Sequence, residues 1–200
     1  EAYLKVRGAL SGGLEPQGEL LESLAMEPLV HACREAFDEL NDPVRGEMHL
    51  RHWHWLATRE LSEFVPGQFK MTRNLTRSDL DKRRAEPHLV AGTLRTAFKE
   101  IYSELPCGLL RGLVAFLAIS DAHAFADGNG RLGLVLINRE LEWVGQMPAL
   151  FTREMGITGK LGAALRKTRK EDGDLAPVLP VVEEAQRFAR QFCEELATAS

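Results

Sequence analysis

A short polar segment between two apolar stretches limits the folds that this chain can adopt. Leu109–Ser120 is almost entirely apolar, and Arg131–Val144 carries apolar residues at helical spacing, so both stretches predict helices. The segment between them ends in Gly128-Asn129-Gly130. Two glycines allow a tight loop that opens directly into the next helix. We therefore expect a buried helix, a loop and a second helix at the centre of the fold.

Apolar residues at helical spacing predict further helices along most of the chain. They cover Glu19–Leu40, Arg45–Glu63, Ala91–Leu105 and Val181–Ala197. Asn41-Asp42-Pro43 and Pro106 interrupt this pattern, because proline cannot continue a helix. Gln68–Arg77 shows the alternation of a short β-hairpin, and the charged run Arg166–Asp174 predicts a solvated loop. The sequence therefore predicts an all-α helical bundle with one small hairpin.

Length and composition are those of one ordinary globular domain. The chain has 200 residues, of which 44% are hydrophobic and 27% charged. We expect a single domain over 1–200, with a core at about 45–150, an N-terminal helical lead-in at 1–44 and C-terminal helices at 150–200. The net charge of -4 argues against direct nucleic-acid binding by the whole molecule.

Cysteine usage and hydropathy bear on the cellular setting. The three cysteines lie far apart and form no Cys-x-x-Cys pair, which is typical of reduced thiols in a cytosolic protein. No apolar run approaches the roughly 20 residues needed to cross a membrane. We expect a cytoplasmic protein with no membrane partner, or one delivered to a host cytosol if it is an effector. A homodimer stays open.

The residue types of the polar segment fit phosphate chemistry. A Gly-Asn-Gly loop before a helix aims backbone N–H groups into one nest, and the helix adds its positive end. Arg131 can offer a bidentate fork to phosphates, and Asp127 is a hard oxygen ligand for a Mg²⁺ that bridges them. His123 follows the buried helix and can take a proton from a hydroxyl. The alternative is a plain helical turn with a hydrogen-bonded histidine.

The run from His123 to Arg131, His-Ala-Phe-Ala-Asp-Gly-Asn-Gly-Arg, resembles the Fic-family signature His-Pro-Phe-x-(Asp/Glu)-Gly-Asn-Gly-Arg-x-x-Arg. Most known members have a helical core and transfer a nucleoside monophosphate, usually AMP from ATP, to a protein hydroxyl. The resemblance implies a general base, a Mg²⁺ ligand and a phosphate-binding loop with its arginine. These are His123, Asp127, and Gly128, Asn129 and Gly130 with Arg131. It also implies a nucleotide co-substrate and a target protein bearing a Ser, Thr or Tyr hydroxyl.

A second local resemblance lies upstream of the motif. Fic proteins carry a hairpin flap that often opens with Pro-Gly-x-Tyr-Arg, and here Pro66 begins Pro-Gly-Gln-Phe-Lys. The flap of the family aligns the target by strand addition, so the resemblance implies target binding by a short segment. Its residues are Gly67, Gln68, Phe69 and Lys70. The alternative is an ordinary surface hairpin.

The chain departs from the signature at two positions. Ala124 replaces the proline without removing a chemical group, whereas Leu134 replaces the final arginine, which holds the terminal phosphate in the family. Arg139 lies on another face of the helix and does not substitute for it. Three outcomes stay open. The chain can use ATP with weakened terminal-phosphate binding. It can use another donor, such as a different nucleoside triphosphate or a CDP-choline-like diphosphate, or act on another phosphate-linked substrate. Or it is a non-catalytic Fic-fold binding module.

Two weaker patterns complete the sequence-based predictions. Ser11 to Pro16 partly matches the self-inhibitory motif of the family, which makes Glu15 a candidate inhibitory residue; the alternative is a flexible lead-in. His49, His52 and His54 do not share one helical face, so the sequence does not favour a metal site there.

Overall fold

Helices make up the regular structure of the chain. The computed structural model describes residues 29–34, 37–59, 65–72, 84–170 and 173–198. The α-helices are α1 (described over residues 29–34), α2 (Arg45–Thr58), α3 (Val90–Thr96), α4 (Leu109–Ala122), α5 (Asn129–Trp143), α6 (Lys160–Lys170) and α7 (Leu179–Thr198). Shorter turns are the 3-10 segments Phe37–Asn41, Pro87–Leu89 and Tyr102–Glu104 and the π-helical turn Ala97–Ile101. No strand occurs within these described ranges, which confirms the all-α class.

The described residues divide into two compact units. The first contains the described residues up to Val144, and the second contains those from Gly145 onward. The apolar core of the first unit draws its side chains from α1 to α5. Its largest fully buried side chains include Trp53, Tyr102, Phe116 and Phe125. The number of domains stays a prediction.

Two glycines bring the central helices α4 and α5 into close contact. A Cβ on Gly112 of α4 would lie 2.9 Å from the Cα of Ile137, and a Cβ on Gly133 of α5 would lie 2.5 Å from Cδ2 of Phe116. Early residues of α4 therefore face late residues of α5, so the two helices run antiparallel as an αα-hairpin. The predicted helix, loop and helix are confirmed, and the residues between His123 and Gly128 form the connection.

Asp42 sets the start of α2 after the predicted break. Its Oδ1 atom accepts hydrogen bonds of 2.8 Å from the backbone N–H groups of Val44 and Arg45. These are donors that the first helical turn leaves without a backbone partner. The buried side of α2 carries Leu50 and Trp53, which join the core of the first unit.

The amphipathic stretch predicted as one helix over Ala91–Leu105 is helical in three successive geometries. It begins as α3, widens into the π-helical turn Ala97–Ile101 and tightens into the 3-10 turn Tyr102–Glu104. The change of pitch keeps Phe98 and Tyr102 on the core side, where their rings meet edge to face at 5.2 Å. Regular helical periodicity could not predict this change of geometry.

The predicted loop over Arg166–Asp174 is wrong in its first half, because Arg166–Lys170 belongs to α6. Leu161, Ala164, Leu165 and Thr168 follow the i, i+3, i+4, i+7 pattern and are buried. The charged residues occupy the opposite face, so a dense charge run marks the solvated side of a helix here. Residues 173–175 do form a loop.

The second unit contains α6 and α7 with the segment that precedes them. Lys160 of α6 donates hydrogen bonds of 2.7 and 3.0 Å to the carboxylate of Glu184 of α7. The N–H of Leu150 donates to the carbonyl of Ala185 at 3.1 Å, which fixes the preceding segment on α7. In the part of the chain that the structure describes, no helix is long and apolar enough to cross a bilayer.

The predicted hairpin over Gln68–Arg77 forms no strand in its described part. Residues 66–67 make a turn, residues 68–70 are irregular and residues 71–72 form a bend. The remainder of the hairpin lies outside the described residues. Its described segment is held by side chains and by one backbone hydrogen bond to the loop after α4, rather than by a neighbouring strand.

Candidate functional site

His123 lies where α4 ends and adopts a left-handed backbone conformation. Its φ is 45° and its ψ is 58°, and its N–H donates to the carbonyl of Ile119. Ala124 donates to the same carbonyl at 3.3 Å. A residue in the left-handed region commonly ends a helix, but that position usually holds glycine. His123 therefore holds its imidazole on a backbone conformation that is unfavourable for residues other than glycine.

Asn129 closes the loop by pairing with the backbone of Phe125. The N–H of Phe125 donates to Oδ1 of Asn129 at 2.9 Å, and Nδ2 of Asn129 donates to the carbonyl of Phe125 at 2.8 Å. The Phe125 ring is fully buried. The asparagine side chain therefore shapes the loop, and its backbone N–H belongs to the nest at the start of α5.

Gly128 is required by both its conformation and its neighbours. Its φ is +75°, and a Cβ at this position would lie 2.7 Å from Cγ2 of Thr58 and 3.2 Å from Nε2 of His54. It forms the N-cap of α5, which begins at Asn129 and continues through Gly130. The first amides of a helix have no partner within it, and they carry the positive end of the helix dipole. An anion placed at the start of α5 would therefore meet these amides and the positive end of the helix dipole.

The side chains of Asp127 and Arg131 lie beside this helix start. Nη2 of Arg131 donates to Oδ2 of Asp127 at 3.0 Å, with the side chains 21% and 54% exposed, respectively. The carboxylate is accessible and can accept further partners. The arginine of the first turn of α5 and the carboxylate that precedes the helix therefore lie together beside the first backbone N–H groups of α5.

His123 contacts Arg84, which precedes the turn Pro87–Leu89. Nη1 of Arg84 contacts Nδ1 of His123 and also donates to the carbonyl of Ser120 at 3.3 Å. A guanidinium can only donate, so Nδ1 of His123 accepts and the neutral ring carries its proton on Nε2. Nothing in the local sequence around Arg84 indicates this contact with His123.

His54 of α2 bridges the loop and the segment after α2. Its Nδ1 accepts a hydrogen bond of 3.0 Å from the N–H of Gly67, and its Nε2 lies 2.9 Å from the carbonyl oxygen of Asp127. Because Nδ1 accepts, Nε2 carries the proton and donates. Burial lowers the pKa of His54 to about 4 and outweighs the opposing hydrogen bond to Asp127, while the Arg131 charge adds to the lowering. The ring is therefore neutral at pH 7.

The predicted target-binding segment lies against the loop that follows α4. The N–H of Lys70 donates to the carbonyl of Ala124 at 2.9 Å, and its Nζ donates to the carbonyl of Ala122 at 3.0 Å. The ring of Phe69 lies 5.3 Å from that of Phe125. Lys70 is only 4% exposed and holds the end of α4, whereas Gln68 is exposed. The structure thus brings residues 67–70 beside residues 122–127.

The other residues that the sequence singled out add no second arginine and no further metal ligand that the structure describes at this site. Leu134 is half-buried on α5, and Arg139 is buried in the core with its guanidinium 5.5 Å from the ring centre of Trp53. Arg139 therefore does not replace the charge that Leu134 lacks. Glu15 lies outside the described residues. His49 and His52 stack on Trp53 and Trp55, respectively, and the described residues contain no metal-binding group of three or more His, Cys, Asp or Glu.

The donor set fits a hard cation held together with phosphates. Mg²⁺ in nucleotide sites typically takes one or two protein carboxylates and completes its shell with water and phosphate oxygens. Asp127 offers one accessible carboxylate next to the start of α5. A protein cage of several ligands is not needed for such a site.

Solved Fic-domain structures resemble this chain in fold. A Fic domain containing signaling protein from Bacteroides thetaiotaomicron VPI-5482 superposes with a TM-score of 0.68 at 18% identity, covering 95% of this chain and 75% of that chain. Fic-1 from C. elegans and a single-substitution variant of it each give a TM-score of 0.68 at 18% identity, covering 96% of this chain. The chain spans just over half, 56%, of those Fic-1 chains.

Sequence comparisons alone give no assignment. No protein-family model matches the chain, and no curated protein sequence matches it. The structural likeness confirms the expected relationship at the level of fold: this chain has the Fic fold. At 18% identity the likeness carries the fold alone, so the activity has to be argued from the residues of the site.

Proposed function

We propose that this chain is a Mg²⁺-dependent transferase that moves a nucleoside monophosphate, AMP first among them, from a nucleotide to a hydroxyl of a target protein. The observation that carries the proposal is the arrangement around one loop. His123 ends α4, and the Asp127–Arg131 turn presents a carboxylate, an arginine and the positive start of α5. These groups match a base, a metal ligand and a phosphate seat.

His123 would take the proton of the attacking hydroxyl. With Nδ1 accepting from Arg84, the neutral ring has no free lone pair on Nε2. Proton transfer to Nε2 therefore requires the other tautomer, which forms once the ring is released from Arg84.

The nucleotide phosphates would lie over the first turn of α5. The backbone N–H groups there and the Arg131 guanidinium would stabilise negative charge that develops during transfer. Asp127 would hold Mg²⁺, which would draw the phosphate oxygens together and neutralise part of their charge. The oxygen of the hydroxyl forms the new bond to phosphorus, and pyrophosphate leaves when the donor is a triphosphate.

Leu134 favours a second candidate donor. A half-buried leucine cannot bind the terminal phosphate, so a triphosphate loses one charge-assisted contact. Such a contact contributes about 1.5–3 kcal/mol, or roughly ten- to a hundredfold in affinity. A donor whose diphosphate is capped by another group, such as a CDP-choline-like compound, does not need that contact. The same base, metal ligand and nest would serve either donor.

The test is a transfer assay with triphosphates labelled on the α-phosphate and with CDP-choline labelled on both phosphates. The second label detects transfer of CMP, with phosphocholine leaving, as well as transfer of phosphocholine, with CMP leaving. ATP, GTP, UTP, CTP and CDP-choline are each incubated with Mg²⁺, the chain and a mixture of candidate target proteins. We expect label on protein that depends on Mg²⁺ and is lost in His123→Ala and Asp127→Asn. His52→Ala is the matched control, because His52 is exposed on α2 and does not contact the loop. Equal labelling by wild type and His123→Ala would contradict the proposal.

A further inference from the structure

His54 lies outside the motif and contacts both parts of the site. Its side chain is 1% exposed, and both of its ring nitrogens are used. Nδ1 accepts from the N–H of Gly67 at 3.0 Å, and Nε2 donates to the carbonyl of Asp127 at 2.9 Å. One planar ring therefore joins the segment after α2 to the loop before α5.

Aromatic packing holds that ring in a single orientation. The rings of His54 and Phe125 stack with centroids 3.8 Å apart and an interplanar angle of 2°. Phe69 packs on the same Phe125 ring at 5.3 Å, and Asn129 fixes the backbone of Phe125. Because the ring cannot tilt without disturbing this stack, its two hydrogen bonds point in fixed directions.

We propose that His54 is a positioning residue that couples the Gly67–Lys70 segment to the Asp127–Arg131 loop. The coupling rests on the function proposed above, which seats the target at the first and the nucleotide at the second. When Gly67 moves, its hydrogen bond pulls on Nδ1 and displaces the His54 ring. Because the ring is rigid, the displacement also moves Nε2 and the carbonyl of Asp127 that is bonded to it. Occupation of one seat therefore orders the other, and the effect is reciprocal.

Two substitutions separate the two bonds. In His54→Asn the side-chain oxygen lies near the position of Nδ1, so it can keep the bond from Gly67 and loses the bond to Asp127. In His54→Gln the amide nitrogen reaches the position of Nε2, so it can keep the bond to Asp127 and loses the bond from Gly67. His52→Asn and His52→Gln are matched controls on the exposed side of α2.

The measurements are calorimetric binding of Mg·ADP and amide hydrogen exchange at Gly67, with and without Mg·ADP. In the wild type, Mg·ADP should slow exchange at Gly67. His54→Gln should speed exchange at Gly67 about tenfold in the free protein and leave the ADP affinity close to wild type. His54→Asn should keep the protection of Gly67, weaken ADP binding about tenfold and abolish the response of Gly67 to ADP. Tenfold corresponds to the loss of one ordinary hydrogen bond.

The pattern of change decides between positioning and a purely structural role. If His54→Asn and His54→Gln alter ADP affinity and Gly67 exchange in the same proportion, the coupling is overturned. It is also overturned if the wild type shows no response of Gly67 to Mg·ADP. Binding of ADP without transfer of any label would remove the proposed transferase function and leave the coupling standing. Absence of ADP binding to the wild type would overturn both.

Discussion

His123 has a left-handed backbone, so its side chain is expected to lower the stability of the fold even though the proposed chemistry needs it. A residue with a Cβ at this φ of 45° is less stable than glycine, by roughly 1–2 kcal/mol for the left-handed region. Glycine offsets about 0.5–1 kcal/mol of that gain, because it is more disordered in the unfolded chain. We therefore expect His123→Gly to be about 0.5–1 kcal/mol more stable than His123→Ala.

The two variants form a balanced comparison, since both remove the imidazole and its contact with Arg84. The free energy of unfolding is measured by urea denaturation, and the midpoint temperature by calorimetry. For a chain of this length each kcal/mol moves the midpoint by about 2–4 °C. Neither variant should transfer label. His123→Gly should therefore be as inactive as His123→Ala but more stable.

A control at a right-handed position should give the opposite sign. Asp121 is exposed in the last turn of α4, where Asp121→Ala should be more stable than Asp121→Gly by up to about 1 kcal/mol. If His123→Ala equals or exceeds His123→Gly in stability, the left-handed cost assigned to His123 is refuted. The Asp121 control shows whether glycine stabilises any position near this helix end or only the left-handed one.

Four further predictions test other parts of the site and the fold. Gly128→Ala should lower the free energy of unfolding by about 2–3 kcal/mol in urea, because its Cβ would lie 2.7 Å from Thr58 at a positive φ. Arg84→Met should raise the transfer rate by freeing Nδ1 of His123, and an unchanged or lower rate would count against the tautomer argument. Leu134→Arg should tighten ATP binding roughly tenfold or more in calorimetry, with ADP binding little changed. A thiol reagent at pH 8 should label exposed Cys193 quickly and Cys33 only after unfolding, because burial raises the pKa of Cys33 to about 12 despite the nearby Arg139 charge.

Local patterns predicted the two central helices and the loop between them well. The apolar stretch around Leu109 to Ser120 and the glycines after it act over a few residues, and the structure places α4, the loop and α5 accordingly. The loop predicted from the charged run at Arg166 was wrong in its first half, because a run of charges is as typical of the solvated side of a helix as of a loop. The buried face of α6 was the signal that the pattern contained and that the charges obscured.

Long-range partners could not be predicted from the same patterns. His54 and Asp127 are far apart in the chain, and a histidine on an amphipathic helix is equally consistent with a surface or a core position. Arg84 lies in a run of basic residues, which is typical of a solvated surface, yet its guanidinium contacts His123. Such pairings follow from how α2 and the Arg84 segment pack on the central hairpin, and no spacing rule within one element encodes them.

The position of the chemistry depends on glycines that the signature does not specify. His123 ends α4 and Gly128 precedes α5, so both are positioned by the packing of α4 on α5. That packing is closest where Gly133 meets Phe116 and Gly112 meets Ile137. A methyl group at Gly133 would lie 2.5 Å from the Phe116 ring, so the ring or the helix must move. Displacements of about 1 Å can lower the rate of a positioned reaction about a hundredfold. The candidate site is therefore specified by the helix contact behind it as much as by the residues that would touch a substrate.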